Sequence, residues 1–176
     1  MSAEASYKPG DIGFARTVGK MGLLIRWGEW LKMRKSHFNH VFILDRFEGG
    51  VWYVIQAEIK GVTKTRSLAE VAPGGEFVIV PPPKGARDFD ILDFARHQVG
   101  SKYGWYTIAS IALDILTPDW FPAFRRGGTW ICSALGAESL RYGGWLYEWG
   151  DIYIITPEQL YCAIVAPDPG MTLPAL

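Results

Sequence analysis

The chain has 176 residues, a length typical of one domain. Hydrophobic residues make up 49% of the sequence and charged residues 20%, which excludes an intrinsically disordered chain and a coiled coil. The 18 Lys and Arg residues balance the 18 Asp and Glu residues, so the formal net charge is zero. This neutral balance argues against a nucleic-acid partner.

The amino-terminal residues and the cysteines bear on where the protein works. The first ten residues are polar and lack the charged start and apolar run of a secretory signal, so we expect synthesis in the cytoplasm. The longest apolar stretch, residues 105–116, is shorter than the roughly 20 residues of a membrane span and predicts a buried helix. Cys132 and Cys162 are too few for a disulfide scaffold.

The first elements along the chain are a predicted strand and a predicted helix. Residues 11–15 follow a Pro-Gly turn and predict a short strand, and residues 19–35 carry apolar side chains at helical spacing. Several basic side chains between Lys20 and Lys35 lie on this helix. Peripheral contact with anionic lipid or cell-wall polymer is therefore one interpretation, beside an ordinary amphipathic helix whose polar face is in solvent.

A β-hairpin and a further strand are predicted next. Residues 39–47 and 51–59 have the composition of two strands, and the Glu48-Gly49-Gly50 segment between them supplies glycines that allow the positive φ of a tight turn. Residues 76–80 predict another strand. It ends at three consecutive prolines, which cannot donate hydrogen bonds to a sheet, so a sheet edge or a linker is expected there.

Helices dominate the rest of the chain. Apolar side chains recur at helical spacing over residues 88–99, 105–116 and 129–141. A long loop, residues 117–128, follows the second of these helices, and its length is typical of a functional loop. Cys132 falls near the start of the third helix.

The last segment completes the predicted fold. Residues 152–155 predict a strand, and Thr156 and Pro157 provide the N-cap and the first residue of a final helix. Antiparallel strands followed by helices predict an α+β fold with a small antiparallel sheet packed against helices. We expect residues 1–176 to form a single domain with loose tails at residues 1–9 and 166–176.

Cys132 is a candidate nucleophile because of its place at the start of a helix. Unpaired backbone N–H groups and the positive end of the helix dipole favour the thiolate there. The same N–H groups can donate hydrogen bonds to the oxyanion that forms when sulfur attacks a carbonyl. The alternative interpretation is that Cys132 is a small core residue.

A thiol nucleophile also needs a base and a group that orients the base. His40 is the favoured base because it begins a buried strand at the end of the sheet, whereas His97 is predicted to be solvated. Gln56 and Glu58 share one face of the paired strand, and either side chain could orient the imidazole. His37, His40 and Glu58 lack the spacing of a zinc site, so we expect neither a metal nor another cofactor.

The order of four stretches of the sequence resembles that of a known family. These stretches are HFNHVFIL, YVIQAEIKGV, GSKYGW and TWICSALGAESL. Together they resemble the circularly permuted, YiiX-type branch of the NlpC-like, papain-like cysteine hydrolases, in which a histidine and a polar residue precede the cysteine. Such a permutation leaves a site intact because the termini of a domain often lie close together. The resemblance extends from Asp11 to the segment near Thr156.

The resemblance implies a papain-like, NlpC-type fold in permuted order and a role for each of the matched residues. Cys132 corresponds to the nucleophile and His40 to the general base. Gln56 falls at the third position, with Glu58 as its rival on the same face. Tyr103 is similar to a family tyrosine that helps to bind the oxyanion.

The resemblance also implies a function, with alternatives. Most NlpC-like relatives are thiol proteases that cut stem-peptide amide bonds of peptidoglycan, so the leading hypothesis is a cell-wall-degrading endopeptidase, for example a phage endolysin that acts on the host wall. Permuted relatives also resemble lecithin:retinol acyltransferase, which favours hydrolysis or transfer of fatty acyl groups as the alternative. The third hypothesis is a non-catalytic binding module, in which the eight Trp residues supply a recognition groove.

Overall fold

A computed structural model of the chain describes residues 7–17, 37–65, 67–72, 76–108, 128–146, 152 and 155–166. The predicted basic helix at residues 19–35, with its proposed membrane contact, lies outside the described residues. So do residues 109–127, which contain most of the predicted apolar helix and of the loop that follows it. Residues 105–108 are helical, as predicted for the start of that helix.

The described residues form strands and helices in a mixed order: β1 (Ile12–Ala15), β2 (His40–Glu48), β3 (Val51–Glu58), β4 (Gly61–Thr65), α1 (Leu68–Val71), β5 (Phe77–Val80), α2 (Asp88–His97), β6 (Lys102–Tyr103), β7 (Thr129–Trp130), α3 (Cys132–Tyr142) and α4 (Pro157–Val165). An antiparallel sheet of five strands has the order β4-β3-β2-β1-β5, and β6 and β7 form a separate parallel pair. The predicted α+β class is confirmed.

The β2–β3 hairpin is the centre of the sheet and agrees with its prediction. Gly49 and Gly50 both have positive φ, 61° and 80°, in the two-residue turn that joins the strands. β4, which the sequence patterns do not predict, pairs antiparallel with β3. β5 lies at the edge of the sheet beside β1, so the three prolines that follow it end an edge strand, as expected.

Both faces of the sheet are buried. One face packs against α2, α3 and α4 through a core that includes Ile43, Ile55, Leu135 and Leu160. The other face is covered by α1, and its core includes Phe42, Leu44, Val54, Leu68 and Val71. Neighbouring residues along β2 therefore belong to different cores, which explains the unbroken apolar run in this strand.

The helices begin and end where their sequences provide the signals. α4 begins with a capping box in which the Thr156 side chain accepts from the backbone N–H of Gln159 and the Gln159 side chain accepts from the backbone N–H of Thr156. α2 ends at His97, and Gly100 turns the chain with a φ of 93°. α3 begins at Cys132 and not at residue 129, because residues 129 and 130 pair with β6.

One predicted element is wrong and one predicted tail is partly ordered. The sequence predicts a strand over residues 152–155, of which only residues 152 and 155 are described, and neither is in a strand. Ile152 lies in a helical turn, and the carbonyl of Ile155 accepts a hydrogen bond from the Ser133 hydroxyl. Residues 7–9 fall in the expected amino-terminal tail, yet Tyr7 packs against the core beneath α1, and the Lys8 N–H donates to Asp11. Among the helices of the described residues, none has the length and apolar character needed to cross a membrane.

Candidate functional site

Cys132 is the first residue of α3. The preceding residue, Ile131, has extended backbone angles, and its carbonyl accepts the first hydrogen bond of the helix from the N–H of Leu135. Ile131 has no polar side-chain atom to cap the helix, so the first N–H groups of α3 are left for other acceptors. Cys132 is a free thiol and is buried, with an exposed fraction of 6%. A helix end of this kind stabilises negative charge on sulfur or on a bound oxyanion.

His40 is the first residue of β2, and Gln56 lies on the neighbouring strand β3. Phe42 pairs with Gln56 in the register of the two strands, so His40, two residues before Phe42, shares a face with Gln56. The two side chains touch, with 2.6 Å between His40 Nε2 and Gln56 Oε1. Because an amide oxygen only accepts, Nε2 donates in this hydrogen bond. The other ring nitrogen, Nδ1, is therefore the one available to the thiol.

The backbone just before His40 is fixed by two other parts of the chain. The buried Asn39 side chain accepts from the backbone N–H and the hydroxyl of Thr17 and donates to the Thr17 carbonyl. Glu158 in the first turn of α4 accepts from the backbone N–H groups of His37 and Phe38, at 2.9 and 3.0 Å. These contacts hold the beginning of β2 in place relative to the helices.

The Cys132 thiol lies close enough to the His40 imidazole to act on it by hydrogen bonding and by charge. Burial of the imidazole opposes its protonation and lowers its pKa. The hydrogen bond and charge of Cys132, the hydrogen bond of Gln56 and the charge of Glu58 act in the other direction and prevail, so the pKa of His40 lies above its ordinary value. A raised imidazole pKa favours the protonated ring, which is the form that can give a proton to a leaving group.

Glu58 lies near the imidazole without the ring contact that Gln56 makes. Its carboxylate oxygen Oε1 accepts a hydrogen bond from the Thr63 hydroxyl in β4, at 3.0 Å. The two alternatives for the third position therefore occupy different places: Gln56 is bound to the ring, and Glu58 acts on the ring through its charge.

Tyr103 lies beside the start of α3 because β6 pairs with β7. Tyr103 is opposite Trp130, two residues before Cys132, and the Gly104 N–H donates to the Trp130 carbonyl. Burial and the nearby charge of Cys132 both raise the pKa of Tyr103, so its hydroxyl keeps its proton and can donate a hydrogen bond. The ring of Trp105 packs edge-on against Tyr103, with 5.3 Å between the ring centroids.

The remaining histidines and the second cysteine lie apart from this site. His37 is exposed and its ring contacts Phe38. The His97 side chain is 72% exposed and is bound to Asp93, as the sequence predicts for a solvated histidine. Cys162 lies in α4, where burial and the charge of Glu158 raise the pKa of its thiol. Within the described part of the chain, no three His, Cys, Asp or Glu side chains are grouped so that they could hold a metal ion.

Three residues near the site are not indicated by any sequence pattern described above: Asn39, Thr63 and Glu158. Asn39 directly precedes the candidate base, which is a weak signal. Thr63 lies in a strand that was not predicted, and Glu158 reaches the site from the far end of the sequence.

Comparison with known proteins adds no family assignment. The chain matches no protein-family model, and it matches no curated protein.

Proposed function

We propose that the chain is a cysteine hydrolase that works by acyl transfer, with a papain-like fold in circularly permuted order. The observation that carries the proposal is the series Cys132–His40–Gln56, in which the thiol at the start of α3 acts on the imidazole and the imidazole is hydrogen-bonded to the amide. Its order of nucleophile, base and orienting group is what covalent catalysis by a thiol requires. The buried position of the thiol and the raised pKa of the imidazole beside it further support this function.

The proposed reaction begins with attack of the Cys132 thiolate on a carbonyl carbon, which forms a C–S bond and a tetrahedral oxyanion. The backbone N–H of Cys132 and the Tyr103 hydroxyl donate hydrogen bonds to this oxyanion. The C–N bond of an amide substrate then breaks, and the His40 imidazolium gives its proton to the leaving amine. The product of this half-reaction is a thioester on Cys132 and a neutral imidazole.

In the second half-reaction, His40 removes a proton from water, and the resulting hydroxide attacks the thioester carbon. The C–S bond breaks, the acid product leaves, and the thiolate–imidazolium pair is restored. Gln56 takes no part in the proton transfers. It holds the ring by accepting from Nε2, so that Nδ1 faces the sulfur in both half-reactions.

The substrate class that we propose is the stem peptide of peptidoglycan, on the basis of the resemblance to NlpC-like hydrolases. The cellular role would be cell-wall degradation, including lysis of a host wall by a phage-encoded enzyme that is made in the cytoplasm. A second candidate is an ester or amide of a fatty acid. It is favoured by the exposed aromatic side chains of Trp105 and Tyr106 next to Tyr103, which offer an apolar surface beside the nucleophile.

The test is a search by intact-protein mass spectrometry for an acyl adduct on Cys132. The protein is incubated separately with purified cell walls, whose turbidity is also followed, and with lipid esters in anionic liposomes. We expect an adduct and product release with one substrate class, unchanged in Cys162→Ser and lost in Cys132→Ala.

An adduct from walls supports the endopeptidase and an adduct from lipid esters supports the acyl hydrolase. Thiol labelling near pH 6 provides a check that does not depend on the substrate. If Cys132 and Cys162 react equally slowly and no adduct forms, the catalytic proposal is wrong and the non-catalytic binding module is favoured.

A further inference from the structure

The proposed third residue, Gln56, has no charge, although the imidazole that it orients must become positively charged. A carboxylate at this position would both hold the ring and stabilise the imidazolium. The Gln56 amide can hold the ring but supplies no negative charge. The negative charge that stabilises the imidazolium must therefore come from another group.

We propose that Glu58, held in place by Thr63, supplies this charge and that the third role of the triad is divided between two side chains. The strand register supports the placement of Glu58. The Phe42–Gln56 pair is the last of the β2–β3 register at this end, and His40 and Glu58 each lie two residues beyond it on their strands, so both share the face of that pair. Glu58 is a positioning residue that acts through His40.

Thr63 fixes the carboxylate of Glu58. Thr63 pairs with Gln56 across β3 and β4, and its hydroxyl donates to Glu58 Oε1 at 3.0 Å. The side chain of Glu58 is half-buried, so its charge is screened by solvent less than that of a free surface carboxylate. A fixed and partly desolvated charge is what long-range stabilisation of the imidazolium needs.

Few other charges act on His40 within the described residues. Cys132 of α3 and Glu58 of β3 both favour the protonated imidazole. Tyr103 of β6 is affected by Cys132 and keeps its proton. Glu158 of α4 binds the backbone of His37 and Phe38.

The contribution of Glu58 matters most after the thioester has formed, and the inference rests on the proposed function at this point. In the free enzyme, the Cys132 thiolate stabilises the imidazolium. In the thioester, the sulfur has no charge, yet His40 must accept a proton from water. Glu58 is then the remaining negative charge among those that act on His40 in the described structure. Its removal should therefore slow deacylation more than acylation.

The closing experiment measures proton binding to His40 by NMR in the Cys132→Ala protein, which reproduces the absence of the thiolate. We expect Glu58→Gln in this background to lower the proton-binding constant of His40 about threefold to tenfold. Thr63→Val should lower it less, because the carboxylate remains but is no longer fixed. Glu48→Gln is the matched control, since Glu48 lies at the other end of β2 and is paired with Arg46.

The proposal is overturned if Glu58→Gln leaves the proton-binding constant of His40 unchanged or lowers it no more than Glu48→Gln does. If Glu58→Gln fails to fold, the same titration with Thr63→Val and Glu58→Asp tests the proposal. Glu58→Asp retains the charge at this position. A burst assay with p-nitrophenyl acetate separates this inference from the proposed function. Without a burst from the wild-type protein, the proposed function is wrong, and the titration still tests the charge of Glu58 by itself.

Discussion

The contact between His40 and Gln56 leads to the sharpest prediction about activity. Gln56→Ala removes the acceptor 2.6 Å from Nε2 and leaves the ring free to rotate away from the thiol. We expect kcat/KM for acylation to fall while the fold is retained, because the Gln56 side chain lies at the end of the sheet where the site is. The change should appear mainly in kcat, since the lost contact is made to the base and not to the substrate.

The magnitude follows from the kind of hydrogen bond that is lost. Nε2 donates from a ring that carries a positive charge in the thiolate–imidazolium pair, and hydrogen bonds to charged groups contribute about 1.5–3 kcal/mol. This range corresponds to a decrease in kcat/KM of about 10- to 150-fold. Gln56→Glu should have a different effect, because its added carboxylate raises the pKa of His40 further. The alkaline limb of the pH profile should then move to higher pH.

The assay is single-turnover acylation by an active ester, followed over a range of pH, with the free energy of unfolding measured in urea for each protein. Gln159→Ala is a suitable control, because Gln159 is also a buried glutamine but belongs to the capping box of α4. It should lower stability by about 1 kcal/mol and leave the acylation pH profile in place. If Gln56→Ala acylates within twofold of the wild-type rate, the assigned orienting role is wrong.

Two further predictions concern the framework of the site. Asp45 is fully buried and bound by Arg96, Arg46 and Lys64. Burial alone would raise the pKa of Asp45, but these basic partners hold it below its ordinary value. The ionised carboxylate therefore stabilises the fold at pH values above the unfolded pKa of about 4. This stabilisation is lost as the pH falls through the folded pKa. In urea titrations, Asp45→Asn should therefore lower the free energy of unfolding by about 2 kcal/mol at pH 7 and by much less near pH 3. An equal loss at both pH values would contradict this account. Glu158→Ala should lower the free energy of unfolding by about 1–2 kcal/mol and slow acylation, because two N–H groups just before His40 lose their acceptor. Glu158→Gln should retain most of the stability and most of the acylation rate. An equal loss in the two variants would show that the charge of Glu158 matters and not its anchoring of β2.

Local signals in the sequence were enough to predict the hairpin and the final helix. Two adjacent glycines between apolar runs specify a tight turn, and Thr156 followed by Pro157 specifies a helix start, so neither prediction depends on the rest of the molecule. Helical spacing also predicted α3 over residues 129–141, but its start at Cys132 is set by the pairing of residues 129 and 130 with β6.

Elements that depend on distant partners could not be predicted. β4 has five residues and owes its place to pairing with β3. β6 and β7 have two residues each, too few for any periodicity, and they join parts of the chain that are far apart in sequence. The choice between Gln56 and Glu58 as the group that orients His40 also depends on partners that are distant in the sequence. Alternation places both on one face, but Thr63, in the unpredicted β4, is what binds Glu58.

The contact between Cys132 and His40 depends on how closely α3 approaches the sheet, and Gly136 sets that approach. A Cβ atom at Gly136 would lie 3.0 Å from a methyl carbon of Val41 in β2 and 3.2 Å from one of Leu160 in α4. Val41 follows His40 directly, and Gly136 is about one helical turn from Cys132. The absence of a side chain at one position therefore lets the helix lie against the strand that carries the base. Because this close approach is made by packing and not by chain order, a histidine early in the sequence and a cysteine late in it can form one site.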